Sequence, residues 1–331
     1  MDATDFDYEL PAEAIAQRAI EPRDGARLLV ASTLDDLVFS DLPSLLDPGD
    51  LLVVNETRVR AARITATKST GGVVEVLLTK RNDDDTWQAL LRPAKRMHSG
   101  ATMTAGPLRM TVLDQPDRGV ATVSISGDGD IDDLLPAVGE VPLPPYFRGT
   151  LDDDERYQTV FAKTIGSAAA PTAALHFTPR LLDAIAGRGI QIATVDLEVG
   201  LDTFRPMDDG PIERHHMHRE RFRVPEETAA AIEMTRRHGN RVVAVGTTTV
   251  RALESTKAVA GSGESDLFIT PGYEFSAVDA MITNFHAPRT TLLVMMAAVM
   301  GERWRTAYDH ALASGYRFLS FGDAMFTEVP G

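Results

Sequence analysis

The sequence predicts an α/β layered domain that carries an inserted small β-barrel domain. Three observations lead there. Apolar strand-like runs open the chain, "RLLVAS" and "DLLVVN". From Val59 to about Ser126 the pattern is all-β, with short, often alternating segments bounded by Gly, Asp and Pro. From about Glu155 onward, strands alternate with helices. The α/β domain is therefore expected over residues 1–58 and 145–331, with the barrel over 59–144.

In order along the chain, "FDYELPAEAIAQ" predicts a short extended piece and then a helix with Pro11 in its first turn. The stretch "FSDLPSLLDPG" separates the first two strands as loop and helix. The inserted part offers "ARITATK", "GGVVEVLLTKR", "TWQALLRPAK", "PLRMTVLD" and "GVATVSIS". Five or six strands at this spacing read as a small barrel or sandwich. "GDGDIDDLLPAVGEVPLPPY" is expected as a linker. Beyond it, "TPRLLDAIAGRG" predicts a helix with Thr178 as N-cap and Pro179 in the first helical position. "IQIATVDLEV" and "RVVAVG" predict strands. "VPEETAAAIEMTRRHG" is a helix with acids in its first turn and bases in its last, as the macrodipole favours. "TVRALESTKAVA", "AMITNF", "TTLLVMMAAVMG", "WRTAYDHALASG" and "YRFLSFGDAMF" continue the alternation.

Composition narrows the function classes. With 331 residues the chain has room for a sizeable core. The absence of Cys excludes disulfides, thiolate nucleophiles and thiolate metal sites. The start, "MDATDFDYEL", lacks the basic-then-apolar pattern of a signal peptide. The longest apolar run, "LLVMMAAVM", is too short for a membrane span and reads as a buried helix. A cytoplasmic protein with no membrane partner is the expectation. A net charge of −15 argues against nonspecific binding to nucleic acid. A structured RNA could still dock on a local basic patch: Arg58, Arg60, Arg63, Lys80, Arg81 and "RPAKR" (Arg92 to Arg96). Solvated strand ends are the plainer reading of those charges.

Four stretches carry candidate chemistry. "GSAAAPTAALHFT" (Gly166 to Thr178) is uncharged and built of small residues, closing on His176 and the Thr178-Pro179 step. On its own it is a close helix-packing surface. In "RVVAVGTTTVRALES" a strand runs through Gly246 and three Thr residues into a helix. The unpaired N–H groups of that helix start suit a carboxylate or phosphate, and an ordinary Thr-capped helix fits equally. Neither a P-loop nor a G-x-G-x-x-G is present. "ITNFHAPRTT" places Asn284 and His286 at the end of an apolar strand, where α/β folds usually bind ligands. Asn can read a base edge or hydroxyl and His can move protons; a satisfied structural loop His is the alternative. "HHMHRE" invites a metal reading, but nothing in its spacing is specific, and a polar substrate-binding loop is preferred. No metal is expected.

These blocks, with "GDLLVVNETRVRAARI", "VPLPPY", "ERYQTVFA", "TFRP", "PGYEF" and "YRFLSFGDAM", stand in an order that resembles the S-adenosylmethionine:tRNA ribosyltransferase-isomerases of queuosine biosynthesis. The resemblance spans Phe6 to Met325. It implies an α/β fold with a β-barrel insertion. It also implies transfer and isomerisation of the ribosyl part of S-adenosylmethionine, the co-substrate, onto the aminomethyl group of 7-aminomethyl-7-deazaguanine in tRNA. Epoxyqueuosine-tRNA forms, and adenine and methionine are released. Two alternatives stay open: an S-adenosylmethionine-binding paralogue with another, small-molecule acceptor, and a non-catalytic RNA-binding protein of the same fold.

Residue chemistry then assigns roles. His176 and His286 are candidates for proton transfer, with Glu198 as a third catalytic candidate. Ser167, Ala170, Thr172 and Thr178 would line the cofactor, because small residues admit a bulky, already charged ligand. Asn284 would take adenine or ribose, and Gly246, Thr247, Thr248 and Arg251 the methionine carboxylate or a phosphate. Arg58, Arg92, Lys95 and His218 would meet the tRNA, and the protein is expected to act as a monomer. The chain departs from the family pattern at Glu198 (usually His), Asp202 and Ala174 (usually Gly) and Ala287 (usually Leu). By strand alternation Asp196 and Glu198 share a face. Two acids there could hold a sulfonium, raise one another's pKa so that one becomes a base, or reject the usual acceptor.

Overall fold

The computed structural model describes residues 1–149, 151, 153–200, 205–217 and 219–330. The chain divides into two compact units. The larger holds Met1–Thr57, Pro144–Thr164 and Ala170–Gly331; the smaller holds Arg58–Leu143 and Ile165–Ala169.

The larger unit begins with β1 (Arg27–Val30), β2 (Asp35–Val38) and β3 (Leu51–Asn55). The helix expected after Pro11 is only one 3-10 turn, Ala12–Ala14, because Ile15 turns into a bridge with Phe318. "FSDLPSL" is likewise a 3-10 helix, Phe39–Leu45, with Pro43 inside it. A short strand β4 (Thr57–Val59) follows.

The smaller unit is a closed barrel. Its strands are β5 (Arg63–Lys68), β6 (Val73–Arg81), β7 (Trp87–Arg92), β8 (Thr102–Ala105), β9 (Leu108–Val112) and β10 (Val120–Ser126). They pair antiparallel in the order β5-β6-β7-β10-β9-β8, and β8 returns to β5 at Thr67↔Thr104. Closure removes the unpaired edges that an open sheet of short strands would expose. The alternation legible in the sequence places Ile64, Ala66, Val74, Val76, Ala89, Leu91, Met103, Met110 and Val123 inside. The expected linker instead continues this unit: α1 (Ile131–Leu134) is capped by Asp130, and β11 (Gly139–Glu140) pairs with β5.

After β12 (Thr164–Ser167) come α2 (Pro179–Gly187), β13 (Gln191–Leu197), β14 (Glu220–Val224), α3 (Glu226–Arg237), β15 (Val242–Val245), α4 (Thr247–Thr256), β16 (Gly261–Ser265) and β17 (Ala280–Asn284). The chain ends through α5 (Thr291–Met300), α6 (Arg303–Ala313) and β18 (Ala324–Glu328). The nine-stranded sheet runs β16-β14-β13-β3-β15-β17-β18-β1-β2. Its centre, β13-β3-β15-β17, is parallel. Those strands read as continuous apolar runs because both faces are covered. On one face Leu52, Val54, Val243, Val245 and Ile282 pack with Phe39, Leu42, Phe177, Leu181 and Ile185. On the other, α3 and α4 pack against β3, β13 and β15. No helix among the described residues is long and apolar enough to cross a membrane.

Candidate active site

A pocket opens in the larger unit at the carboxyl ends of the parallel strands, the usual ligand position in such sheets. Its walls come from Tyr146, from Ala170 to Ala173, from Val199 past β13, and from Gly246 to Thr248 between β15 and α4. Thr283 to Ala287, Thr290 and Leu292, around the end of β17 and the start of α5, complete it with Leu319 and Ser320. None of these residues is Asp, Glu, Lys or Arg.

The strand-to-helix turn is made at Gly246, where φ is +88° and ψ 151°, a conformation essentially reserved for glycine. Gly246 N–H donates to Ile282 O (2.7 Å), and the Thr249 hydroxyl donates to Val245 O (2.7 Å). Helix α4 has no side-chain cap. Its first helical hydrogen bond is Val250 N–H to Gly246 O (3.3 Å), so the N–H groups of Thr247, Thr248 and Thr249 precede the ladder. The buried Thr248 Oγ1 has no hydrogen-bond partner.

Asn284 ends β17 with 3% of its surface exposed. Its Oδ1 accepts from the Thr172 hydroxyl (2.8 Å), while its Nδ2 donates to His176 Nε2 (3.3 Å) and Asp323 O (3.4 Å). The amide NH2 is thus spent on the protein, and Oδ1 keeps a lone pair for a ligand. His176 lies behind Asn284, does not line the pocket, and packs its ring on Phe39 with centroids 4.8 Å apart. Burial pushes its pKa down to about 4. His176, expected to carry a proton, thus faces the Asn284 amide through Nε2 and is not among the residues that line the pocket.

His286 does line the pocket. Its backbone is pinned on both sides: N–H donates to the Tyr308 hydroxyl (3.0 Å) and C=O accepts from the Tyr8 hydroxyl (2.6 Å). Its Nε2 lies 3.0 Å from Thr283 Oγ1, and burial pushes the ring down to about 3. The imidazole is therefore neutral near pH 7.

Of the residues singled out in the sequence, the structure brings together Ala170, Thr172, Gly246, Thr247, Thr248, Asn284 and His286. Others have different work. Thr178 caps α2, accepting from Leu181 N–H (3.2 Å) and donating to Asp24 (2.9 Å). Arg251, expected to take an anion, is not among the lining residues; it forms a buried ion pair with Glu220 and donates to Leu267 O (3.2 Å). Ser167 and Arg58 belong to the smaller unit, as do the exposed Arg92 and Lys95. Glu198 follows β13, half-buried, its N–H donating to Arg221 O (2.9 Å), one residue before the pocket residue Val199. Asp196 has an unpartnered Oδ1, and burial with the nearby Glu56 charge holds its pKa above the usual carboxylate range. His218 and Asp202 lie outside the described residues. Among the described residues no cluster of His, Asp or Glu stands ready to hold a metal.

Sequence reasoning missed Tyr146, Leu319 and Ser320. Tyr146 OH bonds to Ser320 Oγ and accepts from Ser320 N–H (3.3 Å), and burial pushes its pKa up to about 12. The signal was present in "VPLPPY", which reads as the end of a linker, and in "FLSFGD", which reads as part of the strand–helix alternation; neither pattern marks a pocket wall.

Comparison with known proteins places this geometry. Residues 3–327 match the model of the family described as queuosine biosynthesis protein. An S-adenosylmethionine:tRNA ribosyltransferase-isomerase from Symbiobacterium thermophilum is 47% identical over 98% of this chain and 99% of its own. One of the same name from Heliobacterium modesticaldum is also 47% identical, over the same shares of each chain. The crystal structure of an S-adenosylmethionine tRNA ribosyltransferase from Thermotoga maritima is similar with a TM-score of 0.55 at 36% identity, covering 97% of this chain and 99% of that one. With the fold and near-complete matches in agreement, the chain belongs to the queuosine biosynthesis protein family.

Proposed function

We infer that the protein is an S-adenosylmethionine:tRNA ribosyltransferase-isomerase, which moves and rearranges the ribosyl part of S-adenosylmethionine onto the aminomethyl group of 7-aminomethyl-7-deazaguanine in tRNA. The observation that carries the reading is the pocket wall: small residues and hydroxyls, with no fixed charge among the described residues, at the carboxyl end of the sheet. A bulky sulfonium can approach such a wall closely, and no Lys or Arg repels it. Like other ligand pockets, it combines apolar walls with a few polar groups that fix orientation.

The reaction asks three things of the protein. A proton must leave the carbon next to the sulfonium, where positive sulfur acidifies the C–H. The acceptor amine must be neutral to attack. Adenine and methionine must then depart. His286, neutral and in the wall, receives the first proton, and Thr283 fixes its ring. Asn284 Oδ1, held by Thr172, Asp323 and His176, takes a donor on the adenine or ribose. Glu198, just past the end of β13 and one residue before the pocket residue Val199, draws the proton from the acceptor's ammonium. Exposed Arg92 and Lys95 meet tRNA phosphates. A tRNA acceptor makes this a cytoplasmic enzyme.

Incubation with S-adenosylmethionine and tRNA carrying 7-aminomethyl-7-deazaguanine should release adenine and methionine and yield epoxyqueuosine in the digested tRNA. Adenine release with no change in the tRNA would mean another acceptor, and no turnover of S-adenosylmethionine would remove the reading.

A further inference from the structure

The start of α4 and the side chain of Thr248 make two independent observations at one point in the pocket. Helix α4 is ten residues long, and its first three N–H groups have no place in its own ladder. Its N-cap is Gly246, which has no side chain to accept from them, so their partial positive charge faces the pocket. Thr248 has 6% of its surface exposed, yet its Oγ1 makes no hydrogen bond. A buried hydroxyl left unpaired is costly, and native structures seldom keep one without a partner that the protein alone does not supply. The Oγ1 lies 3.6 Å from where a Cβ on Gly246 would stand, so it sits over the same turn as the open N–H groups.

This corner is built for an anion, and the rest of the pocket says which kind. The one guanidinium on α4, Arg251, is occupied by Glu220 and by carbonyl oxygens. Among the described residues no Lys or Arg lines the pocket. The anion is therefore received by dipoles and a hydroxyl alone, which suits a singly charged group delivered as part of a larger, otherwise cationic ligand. We propose that the first turn of α4, through the N–H groups of Thr247 to Thr249 and the Thr248 hydroxyl, is the subsite for the carboxylate at the amino-acid end of S-adenosylmethionine. The assignment rests on the S-adenosylmethionine reading above. It fixes the direction of the ligand: the methionine end lies at the β15–α4 turn. The sugar and adenine then extend toward Asn284 and His286 at the end of β17.

Calorimetric titration with S-adenosylmethionine and with decarboxylated S-adenosylmethionine tests it. These ligands share the sulfonium, sugar and base and differ in the carboxylate. The wild-type protein should bind S-adenosylmethionine more tightly by tenfold or more. Thr248→Val, which keeps the shape but not the hydroxyl, should weaken S-adenosylmethionine about tenfold, the scale of one hydrogen bond to a charged group. It should leave the decarboxylated ligand nearly unchanged, and Thr248→Ser should restore the difference. Equal wild-type affinity for the two ligands overturns the subsite even if Thr248→Val does not fold. So does a Thr248→Val protein that has lost tRNA affinity in the absence of S-adenosylmethionine while holding S-adenosylmethionine normally, since the anion would then be an RNA phosphate. If wild type binds neither ligand, the S-adenosylmethionine reading itself falls.

Discussion

At the scale of the residue, two buried histidines with similar pKa shifts do different things. His286 is in the pocket wall, whereas His176 reaches the pocket only through Asn284. His286→Gln should therefore lower kcat by about 10² to 10⁴, the range for loss of a proton-transfer group. His176→Gln supplies another acceptor for the Asn284 amide and should stay within about tenfold of wild type. Steady-state kinetics decide between them; equal, large losses would make His176 a reacting group. The same residues set a pH dependence of stability. Unfolded, each ring takes a proton below about 6.5. Folded, burial keeps them neutral down to about 4 for His176 and about 3 for His286. Between those values the unfolded chain binds more protons, so stability is full above pH 6.5 and falls as pH drops. The slope is about 1.4 kcal/mol per pH unit per ring, or about 2 kcal/mol per ring at pH 5. Thermal melts at pH 7.5 and pH 5 should show a smaller acid-induced drop in His286→Gln than in wild type; identical drops would contradict the buried neutral state.

At the scale of the element, the small-residue segment and the Gly246 turn are one device. Ala170 to Ala173 and Gly246 to Thr248 face the same pocket, and Ala173 Cβ is 3.8 Å from the place a Gly246 side chain would occupy. Ala170→Leu should fill the pocket and weaken S-adenosylmethionine binding with the fold intact. Unchanged affinity measured by calorimetry would take that segment out of the site. Gly246→Ala places a side chain where the backbone is nearly glycine-only, at a cost of about 1–3 kcal/mol. It should therefore lower Tm as well as affinity. Strands β1, β3, β5 to β7, β9, β10, β13, β15 and β17, helices α2 to α5 and the two strand ends of the site were legible because apolar periodicity, Thr caps and Gly turns are local signals. Less local features were not. Strand β8 (Thr102–Ala105) is too short and polar to stand out, and β14 hides behind "HHMHRE". Tyr146 and Ser320, 174 residues apart, meet only through the tertiary fold. Likewise, nothing in "TTTVRALES" says that Arg251 turns to Glu220 rather than to a ligand.

At the scale of the whole molecule, an acidic protein must hold a polyanion. The net charge of −15 opposes tRNA at long range, so binding has to come from a few local cations. In the smaller unit much of the positive charge is already neutralised: Arg60 pairs with Asp132 (2.5 Å), Arg63 with Glu75 (4.0 Å) and Arg81 with Asp85 (3.0 Å). Arg92 and Lys95, around the end of β7, are exposed and form no ion pair among the described residues. Each phosphate contact releases counterions and contributes about 0.7 to 0.9 to the slope of log affinity against log salt. Replacing both residues by Ala should weaken tRNA binding and flatten that slope by about 1.4 to 1.8 if each touches one phosphate. Neither residue lines the pocket, so S-adenosylmethionine affinity should be unchanged. The measurement is a salt titration of tRNA affinity beside a calorimetric titration of the cofactor. An unaltered slope would make the patch a solvated face of the barrel, and the tRNA would then have to be held by other cations of the chain.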